Sequence, residues 1–239
     1  MISLLHPSRS RPEKSVATLN KWVSNCNNDE DIEIIISIDS DDPEYSNYCK
    51  GMFLHLYPVK IYPRIRIEEN KNRSAVDAIN NAAKVTVGDI LIVVSDDTEP
   101  LQNWDQLIKN SVGSKTDWIL KTQDGIQPWI ITMPIMDRVY YNRFGYIYHP
   151  DYQHMFCDTE LTCVADLTGR KLTSNLLFPH KHYSVTKEQP DAINKKADAT
   201  WAQGEKLFIE RYKRNFDLKE TKGKIIDNGM IQYIQNKIR

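Results

Sequence analysis

The run Asp89-Ile90-Leu91-Ile92-Val93-Val94 constrains the fold of this chain more than any other stretch. It is apolar and mostly β-branched, and it lies between Gly88 and the polar cluster Ser95-Asp96-Asp97-Thr98-Glu99-Pro100, so it reads as a strand covered on both faces. Ile32 to Ile38 has the same character and ends in Asp39-Ser40-Asp41-Asp42-Pro43. Such strands belong to sheets with helices on both sides, and helical patterns do fall between these runs. The opening Ile2-Ser3-Leu4-Leu5 reads as a strand stopped by His6-Pro7. Ser10-Arg11-Pro12-Glu13 has the form of a capping box with Pro at the first helical position, followed by Val16, Leu19, Trp22 and Val23 at helical spacing. A third apolar segment near Met52 to Tyr62 leads to a polar, basic loop from Arg64 to Arg73, and a helix from Ser74 to about Ala83 turns Val76 and Ile79 inward. Strands alternating with helices, each ending in polar residues, predict a mostly parallel α/β sheet with its site at the carboxyl ends of the strands.

Beyond Trp104, Trp118-Ile119-Leu120 and Trp129 to Met133 read as strands, and Asp137 to Phe144 as a short helix stopped by Gly145. A second helix is expected from about Thr159 to Leu167 with Gly169 as its cap, then a strand from Leu172 to Phe178, then a helix from Ala199 to Phe216. Asp217 to Arg239 reads as a polar, partly helical tail. The aromatic group Trp129, Tyr140, Tyr141, Tyr146, Tyr148 and Tyr152 is expected in the core rather than on a stacking surface.

No run of eighteen apolar residues and no secretory leader pattern is present, so a cytoplasmic protein is expected. The four cysteines, at 26, 49, 157 and 163, show no CxxC pair and are expected as free thiols. Charge is nearly balanced at a net -1, but residues 187–239 carry 12 basic against 8 acidic side chains. That mildly basic stretch is expected to be a solvated helical face; contact with DNA would instead show as affinity falling steeply with salt.

Several clusters at strand ends and helix starts carry chemical promise. Adjacent carboxylates such as Asp96-Asp97 repel each other unless a cation or a ring of donors neutralises them, and hard divalent metals prefer oxygen ligands. Asp39, Asp41 and Asp42 either form a polar turn or accept hydrogen bonds from a nucleobase or ribose. Pro7-Ser8-Arg9-Ser10-Arg11 and the group Arg64, Arg66, Lys71 and Arg73 precede helices, where backbone amides and guanidinium groups suit phosphate. Asp158 and Glu160 open a helix, as caps or as a general base, and His180 and His182 end a strand as possible metal ligands.

Taken in order, these clusters resemble the inverting family 2 type of glycosyltransferase with a GT-A fold. Ile2 to Glu13 resembles the opening strand and loop of that family, with Pro7, Ser8, Arg9 and Arg11 at the nucleotide sugar, and Ile34 to Asp39 its second strand with a base-binding Asp, Asp41 being close by. Asn80 to Gly88, followed by Asp89 to Asp97, resembles the spacing from an Asn through a Gly to the metal-binding DxD element. In that register Ser95 takes the first Asp position, Asp96 lies beside the donor and Asp97 is the metal ligand. Cys157-Asp158-Thr159-Glu160-Leu161 resembles the acidic element that supplies the base, with Cys157 in place of a Glu, Asp158 as the aligned base and Glu160 as the fallback. Pro179-His180-Lys181-His182 resembles the element whose histidine completes the metal site, and either histidine fits; Arg73 is a further candidate at the phosphates.

The resemblance implies a GT-A domain over 1–183, with a nucleotide-sugar half at 1–100 and an acceptor half at 101–183, and a mostly helical C-terminal extension over 184–239. It implies a hexosyl- or pentosyltransferase that uses Mn2+ or Mg2+ to move a sugar from a nucleotide-diphosphate sugar to an acceptor hydroxyl, on a saccharide or on a modified base of DNA. A sugar nucleotidyltransferase is the competing enzyme, although it would open with a Gly-rich loop and residues 1–50 contain no glycine. A catalytically silent sugar-binding scaffold is the third reading, motivated by Ser95 and Cys157.

Overall fold

A computed structural model describes residues 1–51, 65–226 and 229–238. The apolar segment expected near Met52 to Tyr62, and Arg64 with it, lie outside the described residues. The strands are β1 (Ile2–Ser8), β2 (Ile32–Asp39), β3 (Ile65–Asn70), β4 (Ile90–Val93), β5 (Ile119–Gln123), β6 (Ile135–Asp137) and β7 (Lys171–Leu177). The helices are α1 (Pro12–Ser24), α2 (Tyr45–Gly51), α3 (Ala75–Lys84), α4 (Trp104–Val112), α5 (Arg138–Phe144), α6 (Cys157–Thr168), α7 (Tyr183–Thr186), α8 (Ala192–Asp198), α9 (Trp201–Lys213) and α10 (Gly229–Ile238).

The strands form one sheet in the order β3-β2-β1-β4-β6-β5-β7. β3, β2, β1 and β4 are mutually parallel, β6 runs antiparallel between β4 and β5, and β7 is parallel to β5. Side chains alternate across this sheet with period two. Ile2, Leu4, Ile34, Ile36 and Ile92 therefore face one apolar cluster with Leu19, Trp22 and Trp104 of α1 and α4. Leu5, Ile35, Leu91 and Val93 face the other, with Val76 and Ile79 of α3, Leu161 and Val164 of α6, and Phe208, Ile231 and Ile234 of α9 and α10. Burial on both faces is why β2 and β4 are nearly all apolar.

Several boundaries differ from the sequence reading. β1 runs through His6-Pro7 to Ser8, because His6 is buried with Nδ1 at 2.8 Å from the Val94 carbonyl and Pro7 sits opposite Ser37 without interrupting the parallel pairing. The capping box at Ser10 does not form: Arg11 is the N-cap, and the Ser10 N–H donates instead to Asp42 Oδ2 at 2.8 Å. Most of the expected basic loop before α3 is β3, an edge strand whose Ile65 and Ile67 alternate with Arg66 and Glu68. The strand expected over 129–133 is irregular, because the Ile131 N–H donates to Thr162 Oγ1 and Thr132 to Asp124; the strand is β6, just beyond Pro134. α6 begins two residues earlier than expected. Tyr140, Tyr141, Tyr148 and Tyr152 are core residues, as expected, and Gly145 and Gly169 cap α5 and α6 in the left-handed conformation.

Gly88 joins α3 to β4 against β1. A Cβ there would stand 2.4 Å from Ser3 Oγ, while the buried Glu33 carboxylate accepts from Ser3 Oγ at 2.5 Å and from the Val87 and Gly88 N–H groups at 2.6 and 3.0 Å. Gly88→Ala is expected to cost about 1–3 kcal/mol of stability through overpacking. Urea denaturation with an unchanged midpoint would show that Ser3 moves aside freely. No helix among the described residues is long and apolar enough to cross a membrane.

Candidate active site

From β1 the chain crosses one way to β2 and β3, then returns past β1 to β4. The reversal opens a crevice beyond the carboxyl ends of β1 and β4, the position at which ligands bind in open α/β sheets. Arg9 and Arg11 follow β1, Asp39 ends β2, and Asp96 and Asp97 follow β4.

The β1 loop is held in place by side chains from β2 and α2. Ser8 Oγ lies 2.9 Å from the Tyr48 hydroxyl, which also accepts the Arg11 N–H at 2.9 Å. The Arg9 guanidinium pairs with Asp39 and makes a bidentate contact to Asp41 at 2.6 and 3.1 Å. Those hydrogen bonds, first to Asp41 and then to Asp39, hold Arg9 charged well above the ordinary guanidinium value. Asp39 Oδ1 also accepts from Asn72 Nδ2 at 2.9 Å. Arg11 crosses the crevice: Nη1 reaches both Asp96 oxygens at 3.1 and 3.2 Å, while Nε donates to Asp191 Oδ2 at 2.9 Å at the start of α8. Lys14 Nζ stands 3.9 Å from Asp96. The sequence reading missed Tyr48, Asn72, Asp191 and Lys14; Lys14, on the same turn of helix as Arg11, was the one visible from spacing alone.

On the other side of Asp96, Asp97 Oδ2 lies 3.1 Å from His180 Nε2, and the Lys181 N–H donates to the Asp97 carbonyl at 2.7 Å. A Thr98–His180 bridge joins the two segments. Burial opposes the Asp97 charge, but hydrogen bonds from His180 and Ser95 outweigh it and hold the carboxyl well below the usual range. Burial likewise works against a charged His180, and Asp97 overcomes it, lifting the imidazole above its ordinary value. His182 follows with its ring 5.5 Å from that of His180, but its Nδ1 is engaged by Ser184, 2.8 Å away, where it caps α7. Among the described residues, no three His, Cys, Asp or Glu side chains are grouped to hold a metal ion.

Asp158 stands in the first turn of α6, accepting the Thr159 N–H at 2.7 Å. Burial raises its pKa, with the Thr159 N–H and His154 pulling the other way. The charges of Asp158 and Asp97 both act on His154 and on His180, which places α6 and the β4 end on one electrostatic neighbourhood.

Three candidates are employed elsewhere. Glu160 is 3% exposed, its carboxylate held by Arg211 at 2.8–3.0 Å and by the Tyr152 hydroxyl at 2.8 Å. A group so occupied is not free to take a proton from substrate. Asn80 donates to the Tyr148 carbonyl at 2.7 Å and accepts the Ile147 and Tyr148 N–H groups at 2.9 and 3.1 Å, pinning that segment to α3 instead of facing the crevice. Arg73 is exposed and closes an i,i+4 pair with Asp77 at 2.7 Å.

No family model and no curated protein matches the sequence. Solved structures do. Staphylococcus aureus TarS 1–349 in complex with UDP-GlcNAc superposes with a TM-score of 0.67 at 13% identity, over 92% of this chain and 68% of that one. The mannosyltransferase PcManGT from Pyrobaculum calidifontis, solved with GDP-Man and Mn2+, gives 0.60 at 10% identity over 87% and 75%. The fold is GT-A. Glucosyl-3-phosphoglycerate synthase from Mycobacterium tuberculosis, solved with Mn2+, UDP and phosphoglyceric acid, shares it at a TM-score of 0.53 and 13% identity, over 84% of this chain and 76% of that one. On this GT-A sheet the crevice lies between β1 and β4.

Proposed function

We propose that this chain is a metal-dependent, inverting glycosyltransferase that moves a hexosyl or pentosyl group from a nucleotide-diphosphate sugar to an acceptor hydroxyl. The observation that carries the reading is the meeting of Asp97 and His180 at 3.1 Å, from β4 and β7, at the mouth of that crevice. A carboxylate oxygen beside an imidazole nitrogen is a donor set that suits Mn2+ or Mg2+, so these two residues would hold the ion, with the donor's phosphates as its further ligands. The ion would supply the charge that stabilises the leaving diphosphate. The three structural neighbours support the reading, since one was solved with GDP-Man and Mn2+, one with UDP-GlcNAc and one with Mn2+ and UDP.

The chain's own residues divide the remaining work. Arg11 spends its guanidinium on Asp96, Asp191 and Asn194 and so braces the loop after β4 beside the place where a diphosphate would lie. Pro7 and Ser8 end β1 at this point. Asp158, made more basic by burial, takes the proton of the acceptor hydroxyl as that oxygen attacks the sugar from the face opposite the diphosphate. One base and one displacement invert the anomeric centre, unlike the two carboxylates of a glycosidase. The acceptor is a saccharide hydroxyl in this reading, and DNA binding that weakens steeply with salt would replace it with a modified base.

The test is thermal unfolding with a panel of nucleotide sugars, each with and without Mn2+. A ligand at a hundred times its dissociation constant adds about 2.7 kcal/mol. Asp97→Asn is expected to abolish the metal-dependent part of the shift. A panel with no shift at all would favour the silent scaffold, and an unaltered Mn2+ effect in the variant would move the ion elsewhere.

A further inference from the structure

We infer that the end of the sheet opposite the crevice docks on an anionic phospholipid surface, through a cationic strip edged by exposed apolar side chains; this holds whether or not the crevice takes a nucleotide sugar. β4, β5 and β7 run in one direction, since β6 is antiparallel to both β4 and β5, and β7 is parallel to β5. The segments that lead into β5 and β7 therefore lie at the opposite end of the sheet from Asp97. There Arg143 Nε and Nη2 pair with Asp117, and Arg170 Nε stands 3.0 Å from Asp117 Oδ2, so two guanidinium groups share one carboxylate. Lys222 joins them. Its N–H donates to the Leu167 carbonyl at 2.7 Å, and its Cβ is 3.6 Å from the place that a Cβ on Gly169 would take. The hydrogen bond from Arg143 outweighs burial, and with the charges of Arg143, Arg170 and Lys222 it holds the Asp117 carboxyl below its ordinary value.

Lys222 and Lys224 belong to the basic stretch expected as a helical face, but both lie on an irregular segment outside the helices. Along it Lys222, Lys224 and Ile226 are exposed, while Gly223 packs on the Asp166 carbonyl and Ile225 on the core. Four cations thus face one carboxylate, Asp117. Asp166, behind the segment, is neutralised by Lys171, and the exposed Lys219 and Glu220 offset each other. Apolar side chains edge the strip: Val139, one turn before Arg143 on α5, is 50% exposed, and Ile226 is 56% exposed. Beside Lys224 a cavity of about 400 Å3 is lined by Leu167, Phe216, Ile225 and Ile231. Cations alone would attract any polyanion, but exposed aliphatic groups gain nothing from a nucleic-acid backbone. They gain by entering the boundary between headgroups and acyl chains, where the stems of lysine and arginine reach the phosphates. A phospholipid surface offers both chemistries together, and docking on it this way turns the crevice away from the bilayer.

The experiment is sedimentation of the full chain with vesicles of phosphatidylcholine alone or with one third phosphatidylglycerol. At about fivefold for each cation in excess of the carboxylate, binding to the anionic vesicles is expected to be about 100-fold tighter, and high salt should remove the difference. Lys222→Glu combined with Lys224→Glu should bring binding down to the phosphatidylcholine level. Val139→Ser and Ile226→Ser should each weaken it about fivefold. All of these side chains are exposed, so melting temperatures should stay unchanged. Equal binding to the two vesicles, binding to neither, or full binding by the lysine variant overturns the inference. So does displacement by free glycerol phosphate, which would mark a site for a small anion, or tighter binding to duplex DNA than to the anionic vesicles.

Discussion

Asp158→Asn is expected to cut sugar transfer by about 10²–10⁴-fold while leaving donor affinity unchanged, because only the proton acceptor is removed. The wild-type pH profile should carry the same signature. A base works when deprotonated, and burial lifts the Asp158 pKa above the ordinary aspartate value. Activity should therefore fall on the acid side through a midpoint above that value, with the protonated form inactive. Initial rates of transfer across pH, set beside donor titrations of the variant, check both halves. Full activity in Asp158→Asn would take the base away from α6, since Glu160 is closed off by Arg211.

Arg211→Ala is expected to lower stability by about 3–5 kcal/mol, the largest effect of a single substitution predicted for this fold, because it strands the Glu160 carboxylate inside the protein. The side chains of Arg211 and Glu160 are 5% and 4% exposed, and the pair ties α9 to α6 with Asp217 at 2.9 Å on the outer side. Breaking such a pair costs more than deleting it. Glu160→Gln combined with Arg211→Met should consequently recover much of the loss, and urea denaturation of both single variants and the double variant measures this. Equal losses in Arg211→Ala and the double variant would mean that packing, not charge, holds the two helices together.

The same pair shows why the sequence left two carboxylates open for the base. Residues two apart on a helix point about 200° apart around its axis, so Asp158 and Glu160 meet different surroundings, and the partner that occupies Glu160, Arg211, lies 51 residues further on. β2 and β4 were legible because a strand buried on both faces is nearly all apolar, with few polar positions to disguise it. β3 was not, since Arg66 and Glu68 on its exposed positions make an edge strand look like a basic loop. The stretch before Pro134 misled in the other direction: Ile130 and Ile131 are apolar because they are buried, yet the Ile131 N–H is spent on Thr162 and not on a sheet neighbour. Asp97 was legible as a cluster at a strand end, but the resemblance left His180 and His182 open beside it; the fold sets His180 at 3.1 Å and leaves the His182 Nδ1 with Ser184. Asn80 was read at the site because spacing records where a side chain sits on a helix, not which backbone groups it satisfies.

The tie between α6 and α9 also has a temporal side. Glu160 is synthesised 51 residues before Arg211, a delay of about 3–10 s at 5–20 residues per second. Until Arg211 emerges, α6 carries a carboxylate with no cation to meet it, and burying that charge alone is strongly disfavoured. The growing chain thus completes the tie that seats α6 only after α9 has emerged, so a chain interrupted in that interval would hold α6 without its cation.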